Sequence, residues 1–141
     1  MLVREFMTSK VVTITEEETL KTADLRFRQG RFRHLPVVRD GTVVGVVSDR
    51  DVRALRDLDV PDLPAVLERR RVRDVMRRPA IVASPQDPLE QAARLMYERK
   101  IGCLPVVDEG RLVGIVTTSD VFRAFVQVMG VAEPGTRLEL T

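Results

Sequence analysis

A tandem repeat constrains the fold of this chain more than any other feature of its sequence. Residues 35–52 read LPVVRDGTVVGVVSDRDV, and residues 104–121 read LPVVDEGRLVGIVTTSDV, at a constant offset of 69 positions. Aligned without a gap, residues 3–52 are identical to residues 72–121 at 15 of 50 positions. Two copies make a closed pair rather than a solenoid, so we expect two similar units that fold together.

The repeat divides the 141 residues into four parts. We predict a first unit at residues 1–60, a linker at 61–70, a second unit at 71–130 and a tail at 131–141. Two prolines in the linker interrupt regular structure ahead of a short helix. A hydrophobic content of 44% allows two units of this size to share a real core.

Local patterns predict the order strand, helix, strand, strand, helix in both halves of the chain. This is an α/β (α+β) fold of two pseudo-symmetric β-α-β-β-α units. The β-branched residues 11–14 predict a first strand, with residues 81–82 as its counterpart. Asp40-Gly41 and Glu109-Gly110 predict tight hairpin turns, because glycine accepts the positive φ that such turns require.

Capping signals mark where the helices begin. Asp87, followed by Pro88 and Glu90, predicts an N-cap for the first helix of the second unit. The last helix is predicted to run from about Ser119 to a stop at Gly130. Its apolar stripe can pack on the chain's own core or form a self-association face. We expect a homodimer and leave a tetramer open.

The composition excludes several classes of function. A net charge of +2, from 23 basic and 21 acidic residues, provides no global field to attract nucleic acid or a membrane. The arginine-rich residues 69–78 could contact nucleic acid, but with 4% aromatic content a solvated or phosphate-facing edge is the better interpretation. No apolar run reaches the roughly 18 residues of a spanning helix. Cys103, the single cysteine, is expected to be buried and inert, and we expect a cytoplasmic protein.

Motifs of catalysis are absent from the sequence. It contains no GxxxxGK(S/T) phosphate loop, no HExxH and no CxxC. His34 is the only histidine, so it cannot build a metal cluster by itself. We therefore expect no enzyme activity, no metal site and no permanent cofactor.

The doubled pattern LPVV-x-x-G-x-(L/V)-V-G-(I/V)-V-(S/T)-x-x-D resembles the CBS domain (cystathionine β-synthase domain) family. The likeness covers about residues 2–130 and implies a tandem CBS pair, or Bateman module. The stretches VSDRDVRAL, KIGCLPVV and the tail VMGV-x-x-PGTRLEL are most similar to acetoin-utilisation-type CBS proteins, in which an ACT domain follows the pair. By this resemblance residues 137–140 would begin the first strand of an ACT domain that is cut off or lacking here.

Each copy carries the motif G-h-h-(S/T)-x-x-D, where h is apolar. Its members are Gly45, Ser48 and Asp51 in the first copy and Gly114, Thr117 and Asp120 in the second. Glycine permits close approach to the backbone, a helix N-terminus favours a phosphate, and an ionised aspartate can accept both hydroxyls of a ribose. The family resemblance implies that this motif holds an adenosine nucleotide. The same hydroxyls and carboxylates can also be the capping pairs of an empty site.

Cationic residues concentrate in the first copy. Arg50 corresponds to Ser119, and Arg33-His34 correspond to Gly102-Cys103. By resemblance, polyphosphate binding would depend on Arg33, His34 and Arg50, although the arginines can also be solvated and the histidine structural. The resemblance also implies an adenine slot lined by Thr13, Leu35, Pro36, Val82, Leu104 and Pro105. The hydrophobicity of these residues indicates only a core.

We therefore expect a regulatory module that binds an adenosine-containing ligand (AMP, ADP, ATP or an S-adenosyl compound) in the cleft between its units. Binding would change the geometry of an ACT domain or of a regulated enzyme, through different affinities for two conformations. The alternative is a ligand-independent homodimerisation or scaffold module built on the apolar helix faces.

Overall fold

The computed structural model describes residues 1–130, so the predicted ACT segment at 131–141 lies outside the described residues. The elements are α1 (Val3–Phe6), β1 (Ile14–Thr15), α2 (Leu20–Gln29), β2 (His34–Arg39), β3 (Thr42–Ser48), α3 (Asp49–Asp57), α4 (Leu63–Arg69), a 3-10 turn (Val72–Asp74), α5 (Leu89–Arg99), β4 (Cys103–Asp108), β5 (Arg111–Thr117) and α6 (Thr118–Met129). The predicted fold class of two related α/β units is confirmed.

Both predicted hairpins are present. β2 pairs antiparallel with β3, and β4 pairs antiparallel with β5, each with one register shift at the same repeat position. At the first turn Asp40 has φ 50° and Gly41 has φ 79°, and Glu109 and Gly110 repeat these values within 1°. Positive φ at both central residues is the type I′ geometry that matches the twist of paired strands.

The predicted first strands are much shorter than expected. β1 keeps only Ile14 and Thr15, which pair in parallel with β2. In the second unit the counterpart is a single parallel bridge between Ala83 and Val106. The extent predicted for residues 11–14 is therefore wrong. Thr8, three residues before this predicted strand, is paired with Ile115 of the other unit. The chain between Thr8 and Ile14 therefore crosses from one unit to the other instead of extending the first sheet.

The caps of the helices are partly as predicted. Ser48 Oγ accepts from the Asp51 N–H at 3.2 Å, and Asp51 Oδ2 accepts from the Ser48 N–H at 2.9 Å, a reciprocal capping box. α6 stops before Gly130, as predicted. The Asp87 prediction is wrong, because α5 begins at Leu89 and the Asp87 carboxylate instead accepts from the Ser84 N–H at 2.8 Å.

Each unit completes its core with the opening segment of the other. Val3 and Phe6 of α1 belong to the buried cluster of β4, β5, α5 and α6. Val72 and Met76, which open the second repeat, belong to the buried cluster of β2, β3, α2 and α3. The two units therefore share their cores, while the boundaries at 60, 70 and 71 stay a prediction.

Backbone hydrogen bonds fix this exchange at equivalent positions of the repeat. The Val3 N–H donates to the Asp87 carbonyl, and the Val72 N–H donates to the Glu18 carbonyl, both at 2.9 Å. Further along, Thr8 exchanges two hydrogen bonds with Ile115, and Arg77 exchanges two with Val46. Because each segment is tied by its backbone to the opposite unit, the two units form one folded body.

Candidate functional site

A cleft of about 430 Å³ lies between the two units. The first unit contributes the start of β2, the end of β3 and the start of α3. The second unit contributes the segment after its opening turn, the start of β4 with the residues before it, and the start of α6. The lining residues are Arg33, His34, Val46, Ser48, Asp49, Arg50, Asp51, Arg53, Arg77, Pro79, Ala80, Ile81, Lys100, Ile101, Gly102, Cys103 and Thr118. Five of the predicted site residues meet here: Arg33, His34, Ser48, Arg50 and Asp51.

The half-buried carboxylate of Asp51 lies at one end of this cleft. Its Oδ2 is held by the Ser48 N–H. Among residues 1–130, no group donates a hydrogen bond to its Oδ1. A carboxylate oxygen that faces a cleft with free acceptor capacity can take a hydroxyl from a ligand.

Positive charge surrounds the cleft. Five cationic side chains line it, Arg33, Arg50, Arg53, Arg77 and Lys100, against the two carboxylates of Asp49 and Asp51. Asp49 is engaged with Arg53 at 3.4 Å. Within residues 1–130, the other four cations make no ion pair. An anionic ligand would therefore find charge partners that do not first have to break protein contacts.

His34 reaches across the cleft from the first unit to the second. A Cβ built on Gly102 would meet the His34 ring atoms Cε1 and Nε2 at 2.9 Å, so the imidazole lies directly against this glycine. Burial lowers the pKa of His34, with Asp49 and Asp51 opposing that shift and Arg77 and Arg33 adding to it. The lowered pKa favours the neutral imidazole at pH 7, in which one nitrogen can accept a hydrogen bond.

The two motif glycines serve chain packing. A Cβ on Gly45 would lie 2.8 Å from the Arg77 carbonyl oxygen, and one on Gly114 would lie 3.0 Å from the Thr8 carbonyl oxygen. The space beside each glycine is thus taken by the exchanged segment of the other unit. Close packing of the chain therefore explains why glycine stands at these two positions. Their contact with a ligand stays a prediction.

The residues of the predicted adenine slot do not come together in this cleft. Leu35, Pro36, Leu104 and Pro105 are buried strand residues, Thr13 is half-buried ahead of β1, and Val82 is 43% exposed. Val82 and Leu104 instead line a second groove along α5. Pro79, Ala80 and Ile81 are the apolar residues that face the first motif, and they come from the unit opposite to it.

In the second motif, protein groups donate hydrogen bonds to both carboxylate oxygens of the aspartate. Asp120 is 9% exposed, and its Oδ2 accepts from the N–H and the hydroxyl of Thr117 at 2.8 and 3.2 Å. Its Oδ1 accepts from Arg123 Nη2 at 3.2 Å. Neither Thr117 nor Asp120 lines the cleft that contains Asp51. The two copies of the motif are therefore not equivalent in the folded chain.

Sequence reasoning missed several residues of the cleft. Arg77 and Lys100 are distant from the first motif in the sequence, and only the exchange of opening segments and the pairing of the units bring them beside it. The sequence signal for Arg77 was its place in the basic run 69–78. Other members of that run contact different groups, since Arg71 donates to the Glu17 carbonyl and Arg73 pairs with Glu17 at 2.9 Å.

Cys103 is 5% exposed, as predicted, and burial raises its pKa to about 12.

Both halves of the repeat are similar to a known protein family. The sequence profile of the CBS domain matches residues 3–57 and residues 72–127. These two segments are the two halves of the repeat. In residues 1–130 no helix has the length and apolar character needed to cross a membrane.

Three solved structures are similar along nearly the whole chain. CBSX2 in complex with AMP is 35% identical, with a TM-score of 0.77, covering 92% of this chain and 98% of that one. The CBS domain pair of MJ0100, in complex with 5′-methylthioadenosine and S-adenosyl-L-methionine, is 25% identical, with a TM-score of 0.79 and coverage of 91% and 98%. A Vibrio cholerae protein assigned to acetoin utilization (AcuB) is 30% identical, with a TM-score of 0.77 and coverage of 95% and 98%.

Proposed function

This chain belongs to the CBS domain family, and we propose that it is a regulatory module, not an enzyme, that binds an adenosine nucleotide in the cleft beside Asp51. The observation that carries the proposal is that Asp51, whose Oδ1 has no donor among residues 1–130, lines a cleft together with four cations that make no ion pair within the same residues. The AMP, 5′-methylthioadenosine and S-adenosyl-L-methionine complexes of similar CBS structures support an adenosine ligand.

The chemistry of the cleft assigns a part of the ligand to each group. Asp51 would accept the ribose hydroxyls through Oδ1. Arg33, Arg50 and Arg77 would pair with phosphate oxygens, since all three line the cleft and a guanidinium can donate two parallel hydrogen bonds to a phosphate. The apolar residues 79–81 would cover the adenine. A ligand with phosphates satisfies all three parts, so a nucleotide fits this cleft better than a neutral adenosine compound.

Binding between the units is also how such a module would regulate. Residues from both units line the cleft, and His34 of the first unit lies against Gly102 of the second. A ligand that prefers one relative arrangement of the units shifts the population toward it. A linked domain or a partner enzyme would detect that shift. The likeness to the acetoin utilization protein supports a metabolic partner of this kind.

The first experiment is a thermal-shift panel with AMP, ADP, ATP, S-adenosylmethionine and 5′-methylthioadenosine, with guanosine nucleotides as controls. Calorimetric titration of Asp51→Asn then tests the site, because asparagine keeps an acceptor for the Ser48 cap but removes the charge. Loss of a charged hydrogen bond of about 1.5–3 kcal/mol predicts roughly 10–100-fold weaker binding. Asp49→Asn is the matched control, since it also removes one negative charge and frees Arg53.

The control separates a ribose contact from a general charge effect. We expect Asp49→Asn to bind phosphate ligands at least as tightly as the wild type. Arg50→Gln should weaken ATP binding and leave 5′-methylthioadenosine binding unchanged, because only ATP carries phosphates. Unchanged affinity in Asp51→Asn, or no thermal shift with any ligand of the panel, would contradict the proposed function.

A second function, homodimerisation, is favoured by one face of α6. Phe122, Phe125, Val126, Val128 and Met129 are between 50% and 70% exposed. Such a contiguous apolar surface is typical of an association site. Sedimentation velocity should therefore detect a dimer that Phe125→Glu converts to a monomer. Nucleotide affinity should not change, because Phe125 does not line the cleft.

A further inference from the structure

Arg123 stands between the second motif and the exchanged segment α1. Its Nη2 donates to Asp120 Oδ1 at 3.2 Å and to the Phe6 carbonyl at 2.8 Å. Its guanidinium carbon lies 5.2 Å from the centroid of the Phe6 ring. Together with the Thr117 bonds to Oδ2, these contacts leave both Asp120 oxygens engaged with protein groups.

The first unit lacks this arrangement at every equivalent position. The repeat offset of 69 places Ala54 at the position of Arg123 and Val75 at that of Phe6. Alanine cannot reach Asp51, whose Oδ1 receives no hydrogen bond from residues 1–130. Within residues 1–130, the Arg123 bond to Asp120 Oδ1 and the lack of a donor to Asp51 Oδ1 therefore correspond to one substitution on the last helix of each unit.

Of the five cations that line the first cleft, only Lys100 has a cationic repeat counterpart, which is Arg31. The positions of Arg33, His34 and Arg50 are taken by Gly102, Cys103 and Ser119 of the second copy, and that of Arg77 is taken by Thr8 of the first. A ligand at Asp120 would have to displace Arg123 from Oδ1 and would leave the Phe6 carbonyl without its donor, with no cation gained at these positions in return.

We propose that Arg123 keeps the second motif closed, so that each chain binds one adenosine ligand, at Asp51, and not two. This inference rests on the function proposed above. It makes Arg123 a residue that determines the stoichiometry of binding. Exchanging the residues at positions 54 and 123 should move or remove ligand sites without touching either aspartate.

Calorimetric titrations with AMP and 5′-methylthioadenosine test the inference. The wild type should bind one ligand per chain, and Asp120→Ala should keep a stoichiometry of one ligand per chain and an affinity within about twofold of the wild type. Arg123→Ala should bind a second 5′-methylthioadenosine, which carries no phosphate and so needs no cation. Ala54→Arg should weaken binding at the first site by about tenfold or more, which is about 1.4 kcal/mol. Arg99→Ala, an exposed arginine with no ion pair among residues 1–130, is the matched control.

The outcomes distinguish this inference from the proposed function. Two ligands per wild-type chain, or lost binding in Asp120→Ala, would overturn the inference while the proposed function stands. A folded Arg123→Ala that gains no second 5′-methylthioadenosine, or that loses binding altogether, would also overturn it. If Arg123→Ala does not fold, the Asp120→Ala and Ala54→Arg results decide. No binding of any adenosine ligand by the wild type would instead contradict the proposed function and this inference with it.

Discussion

Replacing Val3 by alanine should destabilise the core of the second unit, although Val3 belongs to the first repeat. Val3 is fully buried among residues of β4, β5, α5 and α6, and its N–H is bonded to the Asp87 carbonyl. Its repeat counterpart Val72 is equally buried, but among residues of the first unit. Val3→Ala and Val72→Ala therefore change equivalent positions of the repeat, but each should destabilise the core of the unit opposite to its own repeat.

The expected magnitude follows from the buried carbon atoms. Valine to alanine removes two carbons worth about 0.8 kcal/mol each, and the cavity left in a tightly packed core adds to this. We expect each variant to lower the free energy of unfolding by about 2 kcal/mol, which is about a 30-fold change in the unfolding equilibrium. Val12→Ala is the matched control, since Val12 is 45% exposed and its loss should cost less than about 0.5 kcal/mol.

Urea unfolding followed by circular dichroism measures the loss of stability, and hydrogen exchange shows where it occurs. In Val3→Ala the amides of β4 and β5 should exchange faster, by up to about 30-fold, with a smaller change in β2 and β3. Val72→Ala should give the reverse pattern. Faster exchange confined to β2 and β3 in Val3→Ala, or a cost no larger than that of Val12→Ala, would refute the exchange of opening segments.

Three further predictions concern His34 and Cys103, which line the cleft, and Gly45, which packs against the cleft residue Arg77. Because burial holds the pKa of His34 below its ordinary value of 6.5, the unfolded chain binds this proton more readily, and stability should fall as the pH drops from 7 toward 5. Urea titrations should find a smaller fall in His34→Gln, and an equal fall would contradict the role of His34. Because burial raises the pKa of Cys103 to about 12, a disulfide reagent at pH 8 should label it only as fast as the protein unfolds, and rapid labelling would disprove this. Gly45→Ala should cost about 1–3 kcal/mol in thermal unfolding, since its Cβ would meet the Arg77 carbonyl at 2.8 Å. An unchanged melting temperature would show that the exchanged segment moves freely.

Local elements were predictable wherever the cause lies within a few residues. The hairpin turns at Asp40-Gly41 and Glu109-Gly110 require positive φ, and the sequence places glycine at the second central residue of each. The capping box of α3 depends on Ser48 and Asp51, which are three residues apart. The Asp87 prediction failed because the same carboxylate can cap either a helix or the preceding turn, and the turn at Ser84 takes it.

The candidate site was predicted only in its first-unit half. The residues before β2 and at the start of α3 were found from the motif and its basic neighbours. Arg77, Pro79, Ala80 and Lys100 were not placed there, because no local sequence pattern indicates which opening segment lies beside the first motif. The structure pairs the first motif with the opening segment of the second unit.

The sequence by itself determined that this chain is a pair of similar units, where their hairpins turn, and that Asp51 and Asp120 stand at the starts of α3 and α6. These features depend on repeat spacing, backbone conformation and short-range hydrogen bonds. Only the tertiary structure decided which unit each opening segment completes, and that Arg123 bonds Asp120 while Asp51 stays open. The two opening segments carry similar apolar patterns, VREFM and VRDVM. Their placement depends on packing and chain connectivity, which local sequence patterns do not encode.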